Sequence, residues 1–159
     1  MVSKVELYLK RADDELLLSK VNFNMSVKPE IKQFLRLNLN QTFFNDVISE
    51  AYYSIFYAAK AYLLTKGIET SAPEEHKKTY NYFKKFVNKG VLDKELLEIY
   101  DTEADKAEFL LKIFFKEKSK RGKFVYNINS DANIPVALNS IGNAKKFVAN
   151  IKSVIEKEK

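Results

Sequence analysis

The chain contains no cysteine and a single histidine, and these two scarcities remove most catalytic templates at once. Without cysteine there are no disulfides, no zinc–thiolate sites and no thiol nucleophile. One histidine cannot supply the Glu-x-x-His pairs of di-iron bundles, the two-histidine zincin motif or a Cys/His pair within one chain. The four glycines are too scattered to cradle a phosphate, there is no P-loop, and nothing frames a nucleophilic serine for a triad built on His76. No metal and no cofactor are called for. No stretch approaches the roughly 18 apolar residues of a membrane span, and Glu6, Asp13 and Asp14 stand where a secretory h-region would lie. A soluble cytoplasmic protein with no membrane partner is expected. With 159 residues, one domain over 1–159 has enough chain for a respectable core.

Arginine is also scarce: the net charge of +6 comes from 24 lysines and only Arg11, Arg36 and Arg121. Lysines spread over helices read first as a solvated surface. The stretch 112–123 differs, because Lys112, Lys116, Lys118, Lys120, Arg121 and Lys123 face one acid, Glu117. A patch of that density suits phosphates.

The apolar pattern has helical period throughout. Ser3 and Glu6 at capping-box spacing open a first helix over 3–21, with Val5, Tyr8, Leu9, Ala12 and Leu16 on one stripe. Its acidic run Asp13-Asp14-Glu15 points in different directions around a helix and reads as a solvated face. Pro29 starts a short helix through Leu37, and 38–42 reads as a turn with Asn40 as the next N-cap. The central helix, about 41–66, is apolar or aromatic at 44, 47, 48, 51, 52, 55, 56, 58, 59, 62 and 63, so it must be wrapped on several sides. Gly67 suits a left-handed stop with Ile68 packing back on Leu63, and Gly90-Val91 repeats it.

Ser71 and Glu74 read as a second capping box for a helix over 72–89 that turns Tyr80, Phe83 and Phe86/Val87 inward. Asp93 caps a long helix with Leu92 and Leu97 as a hydrophobic staple; its stripe is Leu96, Tyr100, Ala104, Ala107, Leu111 and Phe114, and Asp101, Asp105, Glu108 and Lys112 form its solvated face. Residues 118–133 read as the longest irregular connection. A last helix over 134–156 tolerates Pro135 in its first turn and carries Leu138, Ile141, Ala144/Lys145, Val148, Ile151 and Val154/Ile155. The expected fold is all-α: an up-and-down bundle of four to five main helices plus a short extra one.

The ordered set Tyr52, Tyr53, Phe56, Ala58, Ala59, Leu63, Leu64, Gly67, His76, Phe83, Gly90 and Val91 resembles the HEPN family over roughly residues 5–155. Those are small helical proteins linked to RNA and nucleotides. Its ribonucleases carry an Arg and, after four to six intervening residues, a His, pooled by two subunits in a shared cleft. Arginine there neutralises the scissile phosphate and histidine moves protons near neutral pH. Arg121 matches the arginine, but Tyr126, Asn127 and Ile128 occupy the positions allowed for the histidine. Tyr126, with a usual pKa of about 10, is a poor general base, though it can orient a phosphate or stack on a base. The resemblance is to the branch of uncharacterised activity, where a Tyr often follows the Arg. Any activity would be metal-independent endoribonuclease chemistry with Arg121 and Tyr126 as the catalytic candidates.

The resemblance therefore implies RNA or nucleotide binding through Lys116, Lys120, Arg121, Lys123, Tyr126 and Asn127, in a homodimer. It also implies a second role, as the HEPN half of a toxin–antitoxin-like pair with a minimal nucleotidyltransferase. His76 lies beside Glu74 and Glu75 in a first helical turn, which leaves a structural role and a phosphate contact both open. Tyr52 and Tyr53 lie about 100° apart on a helix, so burying both requires a further surface; core and a dimer or partner face are the two readings. Glu50 departs from the basic residue the family often has before this pair, which weakens an anionic-ligand site there.

Overall fold

A computed structural model describes residues 1–111 and 130–159, the side chains of 130–132 excepted. Among the described residues six helices run in order: α1 (Lys4–Val27), α2 (Pro29–Phe34), α3 (Phe44–Thr65), α4 (Glu75–Asn88), α5 (Lys94–Leu111) and α6 (Ser130–Lys157). There is no strand among the described residues, and the fold is the expected all-α bundle.

The helix α3 is central, packing on α1, α4, α5 and α6. Its residues Val47, Ile48, Ala51, Tyr52, Ile55, Ala58, Ala59, Ala61 and Tyr62 are fully buried. The small residues among them let α1 come close enough for hydroxyls to reach backbone carbonyls. Ser19 Oγ donates to the Val47 carbonyl at 2.7 Å, and Ser54 Oγ donates to that of Ala12 at 2.7 Å. The two helices are therefore antiparallel. On α5 and α6, Glu95 pairs with Lys146, Asn143 donates to Glu103 and Lys106 donates to Ser140, which makes these two antiparallel as well. Ile134 and Ala137 of α6 pack with Phe44 and Val47 of α3. So Leu111 and Ser130, between which residues 112–129 run, lie at the end of the bundle where α3 begins.

The termini of the helices follow local rules in part. Ser3 and Glu6 make a reciprocal capping box. Gly67 (φ 74°) and Gly90 (φ 76°) stop α3 and α4, with Ile68 N–H donating to the Leu63 carbonyl and Val91 N–H to that of Phe86. Asp93 Oδ1 accepts the Glu95 N–H at 2.9 Å.

Several expectations are corrected. The helix α1 runs six residues past 21, because Ser19, Asn22 and Ser26 continue its buried stripe as hydrogen-bonded polar residues that apolar periodicity cannot register. The helix α2 ends at Phe34, where Arg36 (φ 57°) takes a left-handed stop position usually held by glycine. Asn40 does not cap α3. Asn38 Oδ1 ties the Asn40 N–H in a turn, and the Phe43 N–H is satisfied by Ser26 Oγ across the bundle. Ser71 and Glu74 form no capping box, since Pro73 steers Ala72 away from helical geometry and Glu74 is left-handed (φ 58°), so α4 starts at Glu75.

The helix α6 starts at Ser130, so residues 130–133 are helical and Pro135 lies inside the helix. Leu138 is exposed, whereas Ala137 and Phe147 are buried. On α1, Glu15 is buried beside Arg11 rather than solvated. On α5, half-buried Asp101 accepts from the Tyr80 hydroxyl. Phe114 and Lys112 lie outside the described residues.

Candidate functional site

His76 is the second residue of α4, and the turn before it delivers it onto the aromatic face of α3. Tyr52 and Phe56, four residues apart, share one face of that helix. The His76 ring stacks on Phe56 at 4.3 Å between centroids and 22° between planes. Its Nδ1 shares a 2.8 Å hydrogen bond with the Tyr52 hydroxyl. Tyr53 closes the other side with a 5.7 Å edge contact. Tyr52 is wholly buried within the chain itself, whereas Tyr53 is half-buried at the surface. The two adjacent tyrosines thus part company, and only Tyr53 retains area for another molecule.

Burial holds His76 below its usual pKa, assisted by the Lys60 charge and opposed by Glu75. The ring is neutral at pH 7. Glu75 itself pairs with the buried Lys60, and Glu74 with Lys77, so neither acid bonds to the histidine. Among the described residues Nε2 has no hydrogen-bond partner, which leaves one imidazole nitrogen available to an incoming group while the other is held. A half-buried neutral imidazole of this kind can accept or donate one hydrogen bond near neutral pH.

The same surface continues onto α1. Tyr8 stacks on Tyr57 at 6.2 Å, Arg11 lies 5.4 Å over the Tyr57 ring, and Lys60 lies 4.8 Å over Tyr8. Burial pushes the Tyr53 phenol above its usual pKa, so it remains protonated and able to donate. Further along α3, Glu50 is half-buried and both its oxygens accept from Asn22 Nδ2, at 2.9 and 2.8 Å. Desolvation raises its pKa from 4.5 to about 7, with Asp46 and Glu15 adding to the rise and the Asn22 bond opposing it.

These two groups act on stability in opposite directions. Glu50 binds its proton more tightly folded than unfolded, so its contribution is full below pH 4.5 and is lost as pH rises through about 7. His76, depressed when folded, contributes fully above 6.5 and loses that contribution as pH falls. Glu50→Gln should leave stability near pH 4.5 unchanged and raise it at pH 8 by about 1–2 kcal/mol, after allowance for solvent around a half-buried group. Urea unfolding at the two pH values checks this; equal effects at both would show that Glu50 ionises normally.

Of the other residues expected at the site, Lys116, Lys120, Arg121, Lys123, Tyr126 and Asn127 lie outside the described residues. The ends that carry them, Leu111 and Ser130, lie at the Glu50 end of α3. Sequence reasoning missed the Tyr52–His76 bond, since the two residues are 24 positions apart and no local pattern joins them. It also missed a buried polar cluster between α5 and α6. There Lys106 Nζ donates to Glu103 Oε2 at 2.9 Å, Ser140 Oγ at 2.9 Å and Asn139 Oδ1 at 3.2 Å. Among the described residues no group of three or more His, Asp or Glu side chains is placed to hold a metal ion, and no helix is long and apolar enough to cross a membrane.

An all-α bundle built on an aromatic central helix, with a histidine seated against its Tyr-Tyr pair, defines the class. The HEPN domain model matches residues 33–159, and the chain belongs to the HEPN family. A Methanocaldococcus jannaschii protein that carries the name "Putative toxin" is 42% identical over 60 residues, a stretch that covers 37% of this chain and 39% of that protein.

Proposed function

We propose that this HEPN protein works as a homodimer that binds RNA or a nucleotide through its basic segment, with Arg121 on a phosphate, Lys116, Lys120 and Lys123 adding charge, and Tyr126 and Asn127 contacting the base. The observation that carries this reading is the sequence between α5 and α6, where six basic residues over 112–123 face one acid. His76, neutral and with Nε2 open, supplies a hydrogen-bonding group to the same ligand class. Tyr126 in place of the family's histidine removes the group that would move protons, so binding without efficient cleavage is the expected behaviour.

A labelled mixed RNA pool, titrated at low and moderate salt, tests this. Affinity should fall with salt, and Arg121→Ala should weaken binding on the order of tenfold, as expected for one charged phosphate contact. Salt-independent binding, or none, would overturn it. Cleavage abolished by Arg121→Ala would instead make the protein a ribonuclease without the usual histidine, with Tyr126 the next residue to vary.

The name of the archaeal relative favours a second reading, in which the chain is the toxin-like half of a pair with a minimal nucleotidyltransferase. Half-exposed Tyr53 and its neighbour Tyr57 then lie on the partner face. Co-expression with a nucleotidyltransferase from a neighbouring gene, followed by co-purification, separates that reading from RNA binding alone.

A further inference from the structure

The helix α1 is apolar on two opposite sides. Ala12, Leu16 and the hydrogen-bonded Ser19 face the core. About half a turn away stand Leu7, Leu17, Leu18 and Val21, with 53%, 61%, 47% and 42% of their surface exposed. A helix apolar on both sides is normally covered on both. The middle of this outer stripe is not apolar but charged: Lys10 and Asp14 form an exposed i,i+4 pair at 2.6 Å.

The order of these residues specifies its own complement. Asp14, Leu17, Leu18 and Val21 stand at i, i+3, i+4 and i+7, the four corners of a hole that accepts one side chain from a facing helix. Leu7 lies about ten residues before the centre of that hole. We propose that a second copy of this chain packs α1 antiparallel on α1, on a two-fold axis near residue 12, so that Leu7 of each copy enters the hole of the other and Lys10 of each faces the second copy's Asp14. This rests on the homodimer reading and adds its interface.

Neighbouring registers fail on charge. An axis near residue 14 sets Asp14 against Asp14, a like-charge contact, and an axis near 17–18 sets Asp14 against Val21 and Lys10 against Met25, burying both charges without partners. Centred on residue 12, the two ion pairs instead form an alternating four-charge cluster shielded by leucines on either side, a self-complementary surface of the kind a two-fold interface requires.

The arrangement has a consequence for the basic segments. The C-terminal end of α1 lies at the end of the bundle from which residues 112–129 depart, as the contacts of Phe23 and Val27 with Phe44, Ile134 and Ala137 show. Fifteen residues of helix separate the axis from Val27, so antiparallel pairing sets the two departure ends about 45 Å apart, at 1.5 Å per residue.

Sedimentation equilibrium of the full-length wild type and variants tests the interface. Leu17→Glu, at an exposed position that leaves the fold intact by circular dichroism, should raise the dimer dissociation constant about a hundredfold. Lys10→Glu should raise it about tenfold, and Lys10→Glu with Asp14→Lys should return it to within about threefold of the wild type. A dimer indifferent to Leu17→Glu, or no rescue by the charge swap, would overturn this interface and leave the homodimer reading standing. A wild type monomeric at all concentrations would overturn both. A monomer whose capture of a nucleotidyltransferase is lost in Leu17→Glu would give the face to that occupant and overturn the second-copy assignment.

Discussion

Lys106→Met should destabilise the protein by about 3–5 kcal/mol, because it leaves a carboxylate buried without its counter-charge. Glu103 is fully buried and Lys106 is 4% exposed. The ammonium has three protons and spends all three, on Glu103, Asn139 and Ser140. Glu103 Oε2 also accepts from Asn143 Nδ2 at 3.0 Å, while Oε1 has no hydrogen-bond partner among the described residues. The carboxylate is thus under-solvated even with the lysine in place, and removing the lysine leaves it one donor.

Adding Glu103→Gln to Lys106→Met should recover at least half of the loss, since the neutral amide carries no charge to strand and its oxygen keeps the Asn143 bond. Lys146→Ala is the contrasting variant: its pair with Glu95 is half-exposed on both sides and should contribute no more than about 1 kcal/mol. Urea unfolding followed by circular dichroism reads all three. If Lys106→Met cost no more than Lys146→Ala, the cluster would be wet and no determinant of α5–α6 packing. α5 and α6 fix the two ends of residues 112–129, so under the proposed RNA-binding role the affinity should weaken in parallel with this stability and recover with the double variant.

The same cluster shows where sequence reasoning stops. Glu103 and Lys106, three apart, have the spacing of an ordinary surface pair, and only the approach of Ser140 and Asn143 from α6 reveals them as interior. What was legible was local. The Ser3/Glu6 box, the Asp93 cap and the two glycine stops all bind groups within a few residues of themselves, and each is found as read. The extent of the apolar surface on α3 was enough to make it central.

Where a helix end is settled by a distant group, the reading failed. Ser26 of α1 satisfies the Phe43 N–H at the start of α3, and Arg36 takes a turn position that glycine usually advertises. Of the site, Tyr52, Tyr53 and His76 were individually visible as residues of interest. Their division of labour, one buried, one half-exposed and one hydrogen-bonded, is a product of packing. Glu50 was read as a lost basic residue, while its burial against Asn22 and elevated pKa depend on a helix 28 positions away.

Phe147→Ala should cost about 3–5 kcal/mol, the usual range for emptying a fully buried aromatic site. The residue escaped the sequence reading because the stripe of α6 was begun at Leu138, which is exposed; Ala144, Val148, Ile151 and Ile155 are buried as expected, but the buried face also takes in Ala137 and Phe147. Phe147 packs on Phe83 at 5.3 Å and on Tyr100 at 5.8 Å, Tyr100 meets Tyr52 at 6.5 Å, and the Tyr52 hydroxyl holds His76. A cavity at Phe147 therefore opens behind the aromatic wall that seats the histidine. Interiors are close-packed, so the wall relaxes toward the void rather than standing in place.

The chain has one histidine, so its titration by NMR is free of overlap and reports on that wall. In Phe147→Ala the His76 pKa should move up toward the usual 6.5, because the burial that depresses it is relieved. Tyr52→Phe provides the converse: it keeps the ring stack and removes the hydroxyl, so it should release Nδ1 at a stability cost of only about 1 kcal/mol. A Phe147→Ala protein that lost its stability with no change in the His76 titration would show that the histidine is seated by Phe56 and Tyr53 alone, and that the core behind Tyr52 carries the fold without shaping the site.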